Sequence, residues 1–307
     1  MNLRSAYLAL LVCLLACSLT GCVGAGRAQI PDEHSVRYTL VNAREEGVVL
    51  FVETESGDCR CALVHVDGFN NSLDEARSNF AAISRAYQRS GGMCRLFGFA
   101  WKSDVGLLSL RRAEREVDER TGSALAAALD RIESRCSAHS LQVTSHSLGA
   151  RVVLRALAER VQSGRPPVAV AALAASAVPT AQLAPGGELS IGLRGARRVA
   201  ILGNSQDYIL GVFYPMFAGG HPPLGQFGLR HHAPAVHQDL RQHNVELFDL
   251  DLARLWGSRH SAVASFDERF WALFLQHIAP RRAILPPRTH WTRFVSDADF
   301  SGAWTHQ

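Results

Sequence analysis

The chain has 307 residues, 47% of them hydrophobic and 20% charged, with a formal net charge of +4. This composition excludes a disordered chain and is enough for one large globular domain. Lys102 is the only lysine and no basic run alternates with aromatics, so no nucleic-acid partner is expected.

The N-terminus reads as an export signal: Arg4, then an almost unbroken apolar run over residues 6–19, too short for a comfortable membrane span. It closes on Leu19-Thr20-Gly21-Cys22, which resembles a bacterial lipoprotein signal. The resemblance implies a signal peptide over 1–21, Cys22 as the lipidated new N-terminus, and anchorage in the cell envelope by several acyl chains. Val23 after the cysteine, rather than aspartate, implies the outer membrane and a domain facing the periplasm. Cys17 is a second candidate with a shorter apolar core before it. An ordinary secreted chain is the alternative.

Residues 22–34 form a polar tether. Residues 35–42 and 47–53 read as strands that form an antiparallel pair. Residues 63–66 are a third strand, ending in Asp67-Gly68-Phe69-Asn70-Asn71-Ser72. A helix follows, with Leu73, Ala76, Phe80, Ile83 and Tyr87 on one side, and Ser72 with Glu75 makes a capping-box pattern. Gly91-Gly92 stops it, and 94–101 is a fourth strand. Residues 106–135 are a charged-apolar helical region, expected to break near Thr121-Gly122. Further strands are expected at 141–144, 168–175, 198–203 and 245–250, and a last helix at 267–277. The tail, 281–307, shows no clear element. Strands alternating with helices predict an α/β domain over 35–280, with a mostly parallel sheet and helices on both faces.

Four cysteines lie beyond the signal: Cys59, Cys61, Cys94 and Cys136. An even number in an exported chain predicts two disulfides. Each cysteine precedes a strand-like run, so parallel strands would gather all four at one end of the sheet. Cys59 and Cys61 are too close to pair with each other, and which of them reaches Cys94 and which Cys136 stays open.

The stretch Ser145-His146-Ser147-Leu148-Gly149 follows an apolar strand and opens a helix whose face is Leu148, Val152, Val153, Ala156, Leu157 and Val161. Strand, sharp turn carrying a serine, then helix is the nucleophile elbow. A serine hydroxyl needs a base and an orienting acid. In chain order the acid follows a late strand and the histidine follows the last one. Asp207 is the carboxylate after the 198–203 strand, and His260 stands in the loop before the final helix, so Ser147, Asp207 and His260 are the candidate triad. Asp249 and Asp251 are alternative acids. Two backbone N–H groups, of Leu148 and Phe69, are the candidate oxyanion-hole donors. His221, His231, His232, His237 and His243 crowd a stretch without clear period that reads as a surface or lid loop. They lack the paired spacing of a metal site, so no metal or other cofactor is expected.

These stretches resemble a family of bacterial α/β-hydrolases of uncharacterised function, often exported. That family has a His-Gly-(Tyr/Phe)-Asn-Asn-Ser motif after the third strand, Trp-Pro-Ser after the fourth, and an Ala-His-Ser-Met-Gly-like elbow. The matching residues are Asp67 to Ser72, Trp101-Lys102-Ser103 and Ser145 to Gly149. The resemblance spans about residues 36–278 and implies the α/β-hydrolase fold, with Asp207 and His260 at the family's acid and histidine positions. Asp67 replaces a histidine and Lys102 a proline. A carboxylate beside the oxyanion hole opposes developing negative charge unless it points away or is neutralised, with Lys102 the candidate neutraliser.

The expected function is a serine hydrolase of small-molecule or lipid esters, or related acyl substrates, working through a covalent acyl-enzyme. Transfer of the acyl group to an acceptor other than water uses the same residues. The alternative is a non-catalytic envelope lipoprotein that keeps the fold for binding.

Overall fold

The structure, a computed structural model, describes residues 38–45, 50–52, 59–104, 109–136, 141–258, 260 and 266–279. The expected signal peptide, Cys22, the tether and the C-terminal tail lie outside these residues.

The described strands are β1 (Tyr38–Ala43), β2 (Leu50–Val52), β3 (Ala62–Val66), β4 (Arg95–Trp101), β5 (Leu141–His146), β6 (Val168–Ala174), β7 (Ala196–Gly203) and β8 (Glu246–Asp251). They form one sheet in the order β2-β1-β4-β3-β5-β6-β7-β8. β2 runs antiparallel to β1, and every other ladder is parallel. Every residue of β3, β5 and β6 is buried. Strands covered by helices on both faces read as continuous apolar runs, as 168–174 does, rather than as alternation. One polar pair links β3 and β5 inside the sheet: His65 Nδ1 lies 3.0 Å from Thr144 Oγ1 across the parallel register.

Helix α1 (Leu73–Arg89) starts at the expected capping box. Ser72 Oγ accepts from the Glu75 N–H at 3.3 Å, and Glu75 Oε2 accepts from the Ser72 N–H at 2.7 Å. The helical region before β5 does not break at Thr121-Gly122. Helix α2 (Leu110–Glu116) passes through a π-helical turn, Val117–Thr121, into α3 (Gly122–Arg135). Gly122 is helical, with φ −58° and ψ −50°. It is a glycine because another helix comes close: a Cβ there would lie 2.6 Å from the Cβ of Arg155 in α4 (Gly149–Gln162). Asp118, in the π-helical turn, takes a bidentate pair from Arg151 of α4 at 2.7 and 2.6 Å and a further bond from Arg155 at 2.8 Å. Burial opposes its charge, but these guanidiniums outweigh it and hold the carboxyl below the usual range. The pairs fasten α2 and α3 to the helix that carries the elbow.

The stretch from His221 to His243, expected as a surface or lid loop, is mostly helical, and so are the residues just before it from Ile209. They contain short turns at Ile209–Phe213, Tyr214–Phe217 and Leu224–Phe227 and the helix α5 (Ala233–Gln242), which buries Val236 and Leu240. Gly and Pro between the turns mask the period in the sequence. Helix α6 (Glu268–Leu273) is capped by Asp267, whose side chain accepts from the Phe270 N–H. It packs Trp271 on Tyr87 of α1, with ring centroids 4.9 Å apart.

Both disulfides lie at the N-terminal ends of the parallel strands. Cys59–Cys136 ties the start of β3 to the approach to β5, and Cys61–Cys94 ties β3 to β4. The three adjacent central strands are therefore linked at the end of the sheet opposite Ser147, and the connectivity left open by the sequence is settled.

Candidate active site

The elbow follows from the geometry of a parallel strand feeding a helix. Ser147 sits at φ 53°, in the left-handed region. For a residue with a Cβ that conformation costs about 1–2 kcal/mol, so the surroundings must hold it. The Ser147 N–H donates to the Ala174 carbonyl at 3.0 Å, and its carbonyl accepts from the N–H groups of Ala150 and Ala177, each at 3.1 Å. The small residues flanking it have steric causes. A Cβ on Gly149 would stand 2.6 Å from the Asp67 carbonyl oxygen and 2.7 Å from that of Val66. Ser145, buried two residues before Ser147, reaches the Ala172 carbonyl at 3.4 Å.

Three loops at the strand C-termini converge on this turn. His260 Nε2 lies 3.0 Å from Ser147 Oγ, and His260 Nδ1 lies 2.6 Å from Asp207 Oδ2. Asp207 is fully buried, and its second oxygen accepts from the Leu210 N–H at 3.0 Å. This arrangement fixes the imidazole with Nδ1 protonated and Nε2 free to accept from the serine. Asn204, to which the sequence reading assigned no role, joins the acid loop to the histidine loop. Its side-chain amide donates to the Gly257 carbonyl at 2.8 Å, and its Oδ1 accepts from the Gln206 N–H. No local pattern reveals that bond, because its partner lies on another strand's loop.

The alternative acids do not reach His260. Asp249 accepts from the Leu229 N–H, and Asp251 accepts from the N–H groups of Ser205 and Ala253, so both fasten loops. The His260 ring packs on His146, with centroids 4.8 Å apart and planes tilted by 42°. Burial, then the nearby His260 and His65, hold His146 well below the ordinary imidazole value, and burial pushes His65 down to about 3. Both are neutral near pH 7, so neither sets a second positive charge against His260. In the histidine-rich stretch, His243 Nδ1 bonds the Asp239 carbonyl of its own helix at 2.9 Å. Among the described residues no three His, Cys, Asp or Glu side chains converge on a point where a metal ion would fit.

The loop after β3 lies against the serine: a Cβ on Gly68 would come within 2.9 Å of His146 Nδ1 and 3.2 Å of Ser147 Cβ. The Gly-Phe-Asn-Asn-Ser run is held by the loop after β4. The Asn70 N–H donates to the Ser103 carbonyl at 3.0 Å, and the Asn71 N–H to Ser103 Oγ at 3.1 Å. Arg44 donates to the carbonyls of Asn71 and Trp101. The N–H groups of Phe69 and Leu148 have no hydrogen-bond partner among the described residues.

Lys102 is exposed and does not neutralise Asp67; the Lys102 side chain has no partner among the described residues. Asp67 is 2% exposed. Its Oδ1 accepts from the Gly68 N–H at 2.8 Å and its Oδ2 from the Asn79 side-chain amide at 2.9 Å. Burial raises its carboxyl to about 6 against the pull of these two bonds, with Glu75 adding to the rise.

Residues 43–177 match the model of the family described as "Alpha/beta hydrolase of unknown function (DUF900)". The match covers the oxyanion-type loop, the Trp101-Lys102-Ser103 stretch and the elbow, and ends before Asp207 and His260. No curated protein sequence matches the chain. Among solved structures it is similar to a poly(3-hydroxybutyrate) depolymerase from Bordetella parapertussis, at 14% identity over 75% of this chain and 85% of that one, with a TM-score of 0.46. It is also similar to the Pyrococcus horikoshii acylaminoacyl peptidase, at 12% identity over 82% and 43% of the two chains, with a TM-score of 0.45. A third similarity is to a mutant of the esterase E40, at 14% identity over 72% and 79%, with a TM-score of 0.38.

Proposed function

From the match of residues 43–177 to that α/β-hydrolase family model and the geometry of the site, we propose that the chain is a serine hydrolase of esters or related acyl compounds. The observation that carries this reading is the hydrogen-bonded series from Ser147 through His260 to Asp207, at 3.0 and 2.6 Å, built on loops from three strands. Buried polar groups so arranged need a purpose beyond packing, since a strained serine and a buried carboxylate both cost stability.

The chemistry proceeds in two halves. Ser147 Oγ attacks the carbonyl carbon while His260 Nε2 takes its proton, and Asp207 steadies the resulting imidazolium. The negative charge on the carbonyl oxygen is received by the N–H groups of Phe69 and Leu148. The tetrahedral adduct collapses as the bond to the leaving group breaks, and His260 hands its proton to that group. Water, activated by the same histidine, then attacks the acyl-serine, releasing the acid and restoring Ser147. In this reading Cys22 carries the lipid anchor, and the domain works at the envelope surface on small-molecule or lipid acyl substrates.

A fluorophosphonate probe tests the proposal. The expected result is one adduct on Ser147, lost in Ser147→Ala, together with turnover of p-nitrophenyl butyrate. A folded protein that gives neither adduct nor turnover would overturn it and favour a binding role for the fold.

A further inference from the structure

Gly68 poses a problem that the rest of the loop must solve. Contact with Ser147 and His146 demands glycine there, and glycine leaves the two flanking peptide planes with the least intrinsic restraint. Yet the second of these planes carries the Phe69 N–H, and a donor to an oxyanion works only if it is held in place beforehand. Each plane has side chains holding it. In the first, the Asp67 carbonyl accepts from Trp101 Nε1 at 2.9 Å, and the Gly68 N–H donates to Asp67 Oδ1 at 2.8 Å. In the second, the Gly68 carbonyl accepts from the Asn71 side-chain amide at 3.4 Å. That leaves the Phe69 N–H as the uncommitted donor of the two.

We propose that Asp67 is a positioning residue: anchored by Asn79 of α1, its carboxylate takes up the Gly68 N–H and so holds the neighbouring Phe69 N–H ready for the oxyanion. The inference rests on the serine-hydrolase reading. It reverses the expectation that a carboxylate at this position opposes catalysis. Both carboxylate oxygens are engaged by donors, one from the loop itself and one from a helix packed beneath it. Removing the carboxylate frees the Gly68 N–H to compete for the oxyanion or for water and loosens the 67–68 plane, leaving the 68–69 plane with the single long bond from Asn71 to hold it. The effect is expected on the transition state rather than on substrate binding, since Asp67 is buried and both its oxygens are engaged within the protein.

The test measures kcat and KM for p-nitrophenyl butyrate, and inhibition by phenylboronic acid, which forms a tetrahedral anion on the serine. The full chain is compared with Asp67→Ala, Asp67→Asn and Asn79→Ala. Asp67→Ala is expected to lower kcat about 10- to 100-fold with KM within about twofold, and to weaken boronate inhibition by the same factor. Asp67→Asn keeps an oxygen for the Gly68 N–H and is expected to stay within about fivefold of wild type. Asn79→Ala, on the half-buried side of α1, removes the anchor alone and should cost about fivefold in kcat. It serves if Asp67→Ala does not fold. Wild-type kcat in Asp67→Ala or Asn79→Ala, or a loss confined to KM, overturns the inference and leaves the hydrolase reading standing. A wild-type chain without turnover or probe adduct defeats the hydrolase reading itself, and this inference with it.

Discussion

The two ends of the sheet are held by different means. At the N-terminal ends of β4, β3 and β5, two disulfides join neighbouring strands covalently. At the C-terminal ends of the same strands, hydrogen bonds do this work among the described residues: Trp101 and Ser103 bind the loop after β3, and the Ser147 turn is bonded to Ala174 and Ala177 at the end of β6. Covalent closure acts mainly on the unfolded chain and makes no demand on side-chain direction. On the proposed function, the opposite end must hold a serine in a strained turn, keep two N–H groups unpaired and leave room for a substrate. Those demands are met by many directional bonds, each worth about 1 kcal/mol. Stability and chemistry are thus separated along the strand axis, and changes at one end should leave the other's property largely intact.

The sharpest way to test that separation is at Ser147. Ser147→Ala should lower kcat/KM for p-nitrophenyl butyrate by up to about 10⁶-fold, while its denaturation midpoint stays near wild type. Unfolding as the cause of lost activity would show as a shifted midpoint. Next in size is the acid. Asp207→Asn should cost on the order of 10⁴-fold in kcat, because the imidazole loses the partner that fixes its tautomer. Asp249→Asn and Asp251→Asn should stay within a few-fold, and a comparable loss in either would move the acid to that residue.

At the other end, Cys59→Ser with Cys136→Ser should lower stability by about 2–4 kcal/mol in urea unfolding, since it opens a loop of 77 residues. The kcat of the folded fraction should change less than twofold, and a large kcat loss would mean the two ends are mechanically coupled. The smallest effect is expected from charge at Asp67. Its carboxyl is raised to about 6 in the fold from an ordinary 3.8, so the folded state holds the proton more tightly than the unfolded chain. That contribution is fully present below about pH 4 and is lost as pH rises through 6, for at most about 3 kcal/mol. Asp67→Asn should therefore gain stability on wild type between pH 4.5 and pH 7.5. The same difference at both pH values would show that the buried charge is not what costs stability.

Much of this molecule is written locally in the chain. The burial of 168–174, the Ser72–Glu75 capping box and the small residues around Ser147 are short-range patterns with direct steric or hydrogen-bonding causes, and each appears where the pattern places it. The meeting of Ser147, Asp207 and His260 is legible for the same reason: parallel strands bring their C-terminal loops to one edge, so position along the chain implies position in space. The helices between His221 and His243 were less legible, because Gly and Pro separate short turns from the one longer helix.

Tertiary structure alone decided three further matters. It paired Cys59 with Cys136 and Cys61 with Cys94, a choice between parallel strands whose lateral order no periodicity encodes. It kept α2 and α3 continuous through a π-helical turn, because Gly122 answers the approach of Arg155 and not the end of a helix. It also turned Asp67 to Asn79 and the Gly68 N–H, leaving Lys102 in solvent. The sequence by itself determined which residues line the strand ends and in what order. The direction in which a buried carboxylate points depends on donors brought from other elements, and these meet only when the sheet and its helices pack.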